Sequence, residues 1–284
     1  MRKKSLWKDS FRTIWKTFTR FLALLLIIAL GSGFFVGLRA TRPGMIDLAA
    51  DYYEEQNFQD IHIQSTYGIR NKDLEILDKV SGISYTPYRT VDRQDADNAV
   101  MYRFYPDFNA ISQMNQNLVI EGRLPESSDE VAVDYNAVVS GLEGYAIGDR
   151  ISLNDLGLAK DADSDDKAKK EAADKIPHLC QDTFTIVGYV RSPLFVDRMY
   201  RGATNIGKGT IDYLCVVSPE AIEGDYYSAI AVEVDEARSL RAYSPEYKKV
   251  VEDKMAEIKE AFKGRDEMLF TEVKDDADKE IADG

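Results

Sequence analysis

The sequence predicts an α+β protein: a single N-terminal transmembrane helix followed by a split α+β extracytoplasmic domain that holds a β-rich inserted subdomain. Three observations predict it. Phe21–Leu38 (FLALLLIIALGSGFFVGL) runs eighteen residues without a charge. A strand-and-helix pattern over residues 61–82 returns over 227–264. Between the two lie short apolar runs separated by Gly- and Pro-bearing turns, the signature of a small β unit.

Residues 1–20 form a cytoplasmic basic amphipathic helix in this reading. Trp7, Phe11, Ile14, Trp15 and Phe18 fall on one helical stripe beside Lys8, Arg12 and Lys16, which suits the lipid interface and its anionic headgroups. Residues 21–38 follow as the transmembrane helix, about 27 Å long against a hydrocarbon layer of about 30 Å. Seven basic residues and one acid precede it, so the positive-inside rule places the N-terminus in the cytoplasm and the main domain outside, at the cell membrane. A cleaved signal peptide fits poorly, because Gly37-Leu38-Arg39-Ala40 is a weak cleavage pattern. Ala29, Gly33 and Gly37 recur every fourth residue and offer a groove for close approach of another helix.

A stalk helix is expected over 39–57, with Met45, Leu48, Ala49, Tyr52 and Tyr53 at helical spacing. The period then changes to two at Ile61 and Ile63. Asn71 is read as the cap of a helix carrying Leu74, Ile76, Leu77 and Val80, stopped at Gly82. Ile83–Val91 and Ala99–Tyr105 read as strands joined by a turn at 95–98. These elements are grouped as residues 58–125. Residues 126–224 form the β-rich insert, with strands at Glu130–Val133, Asp149–Leu153, Thr183–Tyr189 and Ile211–Val217. Its segment 155–182, alternating Asp and Lys, reads as a charged loop. Residues 225–264 close the α+β domain with the strand Tyr227–Val234 and a helix opened by Ser244-Pro245, in which Tyr247, Val251, Met255, Ile258 and Phe262 make one stripe. Residues 265–284 read as the start of a polar helix or coiled coil.

Charge and motifs exclude several functions. Of 36 basic and 49 acidic residues, 29 and 48 lie beyond residue 20, a net of −19; nucleic acid, which needs a basic face, is not expected. Two histidines, His62 and His178, leave no metal set, and no cofactor is expected. Cys180 and Cys215 lie where a disulfide is permitted, although Cys215 in its apolar run reads more simply as a buried small hydrophobe. Gly202-Ala-Thr-Asn-Ile-Gly207-Lys208 matches phosphate-loop spacing. Gly209 follows instead of Ser or Thr, however, and a strand follows instead of a helix. No Gly-x-Ser-x-Gly elbow or His-Glu-x-x-His occurs, so the sequence offers no catalytic constellation.

Several stretches together resemble the FtsX-like, MacB-type ABC transporter permeases, in particular their long Gram-positive versions. They are FLALLLIIALGSGFFVGLRAT after its basic start, DYYEEQNFQDIHIQST, GRLPESSDEVAVD followed by GDRISL, TFTIVGYVRSPLF, IDYLCVV and SPEYKKVVEDKMAEI. The resemblance implies that 58–125 and 225–264 are two parts of a porter-like subdomain. It implies a cytoplasmic ABC ATPase subunit as partner, with further permease helices or a second permease beside the bilayer. It also implies an outer domain that turns ATP-driven motion into work on a client among lipids, peptides, lipoproteins and cell-wall hydrolases. The family has four spans where this sequence has one, so the chain is expected to be a fragment; Leu6–Phe18 is the segment placed to meet the ATPase. The competing class is a single-pass anchored binding or sensing protein without an ATPase.

Overall fold

The computed structural model describes residues 7–8, 12–13, 15–96, 100–141, 145–154, 175–196, 201–265, 267–271 and 274. The chain forms two compact units, Met1–Asp51 and Tyr52–Gly284.

An apolar helix is followed by a mixed α+β domain, as the sequence predicts. Helix α1, Phe18–Glu55, runs 38 residues, so the span and the stalk are one element where two were expected. Pro43 lies inside it, where it takes away the backbone donor that would reach the carbonyl four residues earlier. Thr41 Oγ1 donates to the Gly37 carbonyl at 2.8 Å. The helix ends at Asn57, whose left-handed φ of 46° turns the chain. Asn57 N–H reaches the Glu54 carbonyl at 3.2 Å and Phe58 N–H reaches Tyr53 at 2.9 Å. This is the two-bond C-cap that an Asn serves well, and its usual apolar contact is present as Tyr53 on Phe58, centroids 4.6 Å apart.

The strand β1, Ile61–Ile69, leads to the helix α2, Asn71–Leu77, and the strand β2, Ile83–Tyr88. Both strands pair antiparallel with β12, Tyr227–Val234, which lies between them. The two ends of the domain therefore share one sheet. Its helical face is built from Ile61, Ile69, Ile230, Val232 and Val234 against Leu77 and Val80 and against Val251 and Ile258 of α5, Pro245–Ala261. Asn71 is not the cap of α2. Arg70 holds that position, its N–H bound to Asp73 Oδ2 at 2.8 Å, and the helix ends at Leu77, short of Gly82. In α5 the Ser244 cap accepts from Tyr247 N–H at 3.1 Å with Pro245 in the first turn, as the sequence indicates.

Ile83–Val91 is not a single strand. The ladder breaks at Arg89-Thr90, where Thr90 N–H donates to Ser228 Oγ at 2.9 Å, and β3, Val91–Asp95, enters a second sheet. That sheet also contains β4, Met101–Pro106; β5, Leu118–Gly122; β6, Glu130–Asp134; β7, Arg150–Asn154; β9, Thr183–Arg191; and β10, Tyr213–Val217. Short elements α3, Phe108–Ile111, and α4, Tyr135–Val139, and the small pair β8, His178–Leu179, with β11, Ile222–Glu223, complete the unit. The sheets do not follow the expected boundary at 125/126, since β3, β4 and β5 belong with the later strands.

Strand β9 pairs with β6 along one edge and with β7 along the other, so β9, β6, β10, β4, β3 and β7 close into a six-stranded ring with β5 attached to β9. Tyr102, Phe104, Val131, Val133, Phe184, Ile186 and Cys215 fill its interior. The opposite faces of the same strands, through Tyr105, Ala132, Val190, Leu214 and Val216, pack with Tyr88, Ala229 and Ala231 of the first sheet. Burial on both faces explains why these strands read as unbroken apolar runs instead of alternating ones. Where β5 meets β9, a Cβ at Gly188 would come within 2.3 Å of the Arg123 carbonyl, so that position requires glycine.

Candidate functional site

Two features stand out, one in each unit. In α1 the most apolar eighteen-residue window has a mean hydropathy of 2.6 and none of it is buried. Leu24, Ile27, Leu30 and Phe34 are 62–77% exposed. The helix is long and apolar enough to cross a membrane. Ala29, Gly33 and Gly37 lie along it, and a Cβ built at either glycine meets nothing within 4 Å. Of the interfacial stripe, Trp7, Trp15 and Phe18 are exposed; Phe11 and Ile14 lie outside the described residues, as does most of the loop 155–182 and of the segment 265–284.

The second feature is an open groove of about 910 Å³ in the α+β unit, where the cap of α1, the end of β12 and the start of α5 converge. Tyr53, Phe58, Tyr243 and Tyr247 supply aromatic walls, with Tyr53 and Tyr243 centroids 6.2 Å apart. Its charges are paired across the walls. Arg238 donates to both oxygens of Glu233 at 2.6 and 2.5 Å, and Arg241 Nη1 meets Glu54 at 3.1 Å. Asp60 accepts from Tyr247 Oη at 2.6 Å and from Val234 N–H at 2.7 Å. Burial pushes the Asp60 carboxyl above its ordinary range, partly offset by those two hydrogen bonds. Burial, reinforced by Tyr243, pushes the Tyr53 hydroxyl up to about 12.

The backbone is strained at the same place. Among the described residues, Asn57, Asn115 and Tyr243 are the non-glycine positions with positive φ, 46°, 53° and 65°. Asn57 and Tyr243 line the groove. Asn115 braces it, accepting from Gln59 N–H at 3.0 Å, donating to Gln59 Oε1 at 3.0 Å and bonding the Asn57 carbonyl at 2.9 Å. Such conformations persist only where surrounding contacts hold them. Sequence reasoning missed this groove: its walls come from three segments far apart in the chain, and each aromatic there reads as ordinary helix or loop composition.

The Gly202–Lys208 loop is closed on itself by the Ala203–Thr210 bridge and the Thr204 to Gly209 hydrogen bond. Lys208 Nζ is bound to Asp212 at 2.6 Å, and strand β10 follows the loop where a phosphate loop would have a helix. Cys180 and Cys215 are both free. Cys215 is fully buried in the ring and its thiol is pushed well up by burial, while Cys180 lies at the surface donating to the Glu220 carbonyl at 3.3 Å. The permitted bridge does not form: Cys215 is buried in β10 and Cys180 is exposed after β8. Among the described residues no group of three or more His, Cys, Asp or Glu is placed to hold a metal ion.

No protein-family model matches the chain, and no curated protein matches it. Among solved structures the chain is similar to the periplasmic region of MacB from Actinobacillus actinomycetemcomitans, at 13% identity and a TM-score of 0.33, over 69% of this chain and 75% of that one. It is also similar to the extracellular domain of the noncanonic ABC-type transporter YknZ from Gram-positive bacteria, at 9% identity and a TM-score of 0.32, over 69% of this chain and 95% of that one.

Proposed function

We propose that the chain is a membrane-anchored permease component of an ABC transport system, with residues 1–20 in the cytoplasm, 21–38 across the bilayer and the α+β unit outside. The observation that carries this reading is the wholly exposed apolar stretch of α1. A contiguous face of that size is unfavourable in water and is satisfied by lipid or by other helices. The basic residues that precede it favour the stated orientation, and the sequence phrases quoted above supply the permease resemblance. In this reading ATP is hydrolysed by a separate cytoplasmic subunit, the outer unit passes the resulting motion to a client, and Gly33 and Gly37 are where a neighbouring helix seats. The division of the outer unit into a porter-like part and an inserted β-rich part belongs to the same proposal.

The experiment is affinity purification of the full chain from its native membranes in mild detergent, alongside Gly33→Ile, Gly37→Ile and the lipid-side control Leu25→Ile. Recovery of a Walker-A ATPase and of further membrane helices with the parent and the control, reduced severalfold in the glycine variants, supports the reading. Helix contacts worth about 1 kcal/mol each make such a reduction the expected size. Equal recovery in all four contradicts the role given to the glycines. Recovery of no ATPase with any of them contradicts the permease reading and favours a single-pass binding or sensing protein.

A further inference from the structure

We infer that the groove framed by Tyr53, Phe58 and Tyr243 is a binding site for a basic peptide segment, one presenting lysine or arginine side chains. Three independent observations lead there. First, the charges of the groove sum to negative: the guanidiniums of Arg238 and Arg241 are matched by Glu233 and Glu54, which leaves the Asp60 carboxylate over. Three carboxylates, Glu54, Asp60 and Glu233, against two guanidiniums leave the groove one net negative charge, which favours a cationic ligand over an anionic one. Second, Tyr53, Phe58, Tyr243 and Tyr247 line the same groove, and ring faces attract cations, the more so when water is partly excluded. Third, the chain beyond residue 20 carries a net charge of −19, which draws a positively charged partner toward the outer unit over distances of about a Debye length and speeds its capture.

Tyr243 gives the sharpest reason to assign a ligand. It is 56% exposed and holds a φ of 65°, a conformation in which glycine would be unstrained. The ring lies against Tyr53, centroids 6.2 Å apart, and lines the groove with more than half of its surface open to a ligand. The volume of about 910 Å³ lies near the top of the range of about 300–1,000 Å³ for small-ligand sites, too large for a lone amine and suited to a few residues of an extended chain. The inference rests on the reading of this unit as the part that meets a client. It does not rest on coupling to an ATPase.

The test uses the full chain in nanodiscs of neutral lipid without nucleotide, titrated with a fluorescent hexapeptide amide of alternating Lys and Trp and with its Glu-for-Lys counterpart, empty nanodiscs serving as the blank. Expected are saturable binding of the basic peptide that weakens as salt is raised, and no saturable binding of the acidic one. Tyr243→Gly should weaken binding about two- to fivefold, the size of one lost ring face, while its thermal unfolding midpoint stays equal or rises because the strain is relieved. Asp60→Asn should weaken binding as well. Equal binding of both peptides, or binding of the basic peptide unchanged in both variants, overturns the proposal. Failure here leaves the permease reading intact, and failure to recruit an ATPase leaves this site intact.

Discussion

Helix α1 and the closed ring of strands are built from the same apolar residue types and treat them in opposite ways. Leu24, Ile27, Ile28 and Leu30 are 62–77% exposed, whereas Val131, Val133, Phe184, Ile186 and Leu214 are at most 2% exposed. The ring has finished its hydrophobic burial within the protein; the helix has not begun and needs a different solvent. The contrast separates stability from placement. Substitutions in the ring should change folding in water, and substitutions in the helix should change membrane integration while the outer unit still folds.

The largest effect that would sharpen this contrast is in the α+β unit. Arg201 and Asp134 form a buried ion pair at 2.6 Å, with side chains 3% and 2% exposed, and Arg201 also lies over the Phe195 ring at 5.5 Å. Asp134→Ala takes the carboxylate away from a buried guanidinium and removes the cap of α4, where Asp134 accepts from Asn136 N–H at 3.0 Å. The expected loss is about 3–5 kcal/mol in denaturant unfolding. Adding Arg201→Met should recover part of it by removing the stranded charge. A loss below about 1 kcal/mol would show that the ring is less closed than its burial implies.

The next effect belongs to the helix. Ile28→Lys places a charge at the middle of the span, at a cost to insertion of about 2.5–3.5 kcal/mol. Membrane integration, read by alkaline extraction, should fall sharply, while protease resistance of the outer unit stays unchanged. Unaltered integration would break the comparison, since it would place position 28 outside hydrocarbon.

The smallest effect concerns acid. Glu130 is held at about 2, first by hydrogen bonds from Arg123 and further by backbone donors, including Glu126 N–H at 2.9 Å; Arg123 Nη1 reaches it at 2.7 Å. A carboxyl whose folded value is depressed contributes stability that is complete above its unfolded value of about 4.5 and lost as pH falls toward 2. Arg123→Met should therefore lower the unfolding midpoint at pH 7 slightly and flatten its fall between pH 4.5 and 2. An identical acid limb in both proteins would show that the pair is screened at this surface.

Elements that carry their own periodicity were legible in the sequence. The span could be read from its uncharged apolar run, and β1 and the stripe of α5 because one face of each is buried and the other is not, so spacing declares them. Strands β6, β9 and β10 were found from their apolar runs and β4 from its alternation, but their sheet was not, because residues buried on both faces carry no sign of which partner lies on which side. Strand β5 was missed: Leu118, Val119 and Ile120 are 36–41% exposed and lack alternation. The break at Arg89-Thr90 depends on Ser228, 138 residues away, and no local signal marks it. The groove was illegible for the same reason. Only the Asn57 cap could have hinted at it, as an asparagine directly after a helical pattern and before Phe58.

The most direct measurement is the side of the membrane on which each end of α1 lies. In the full chain with Cys180→Ser and Cys215→Ala, Ser5→Cys and Ser127→Cys are each treated with a membrane-impermeant thiol reagent in intact cells; Ser127 is exposed. Labelling of Ser127→Cys with protection of Ser5→Cys, lifted when the cells are permeabilised, is the expected result. Labelling at position 5 with protection at 127 would place the α+β unit inside the cell and contradict the permease topology outright.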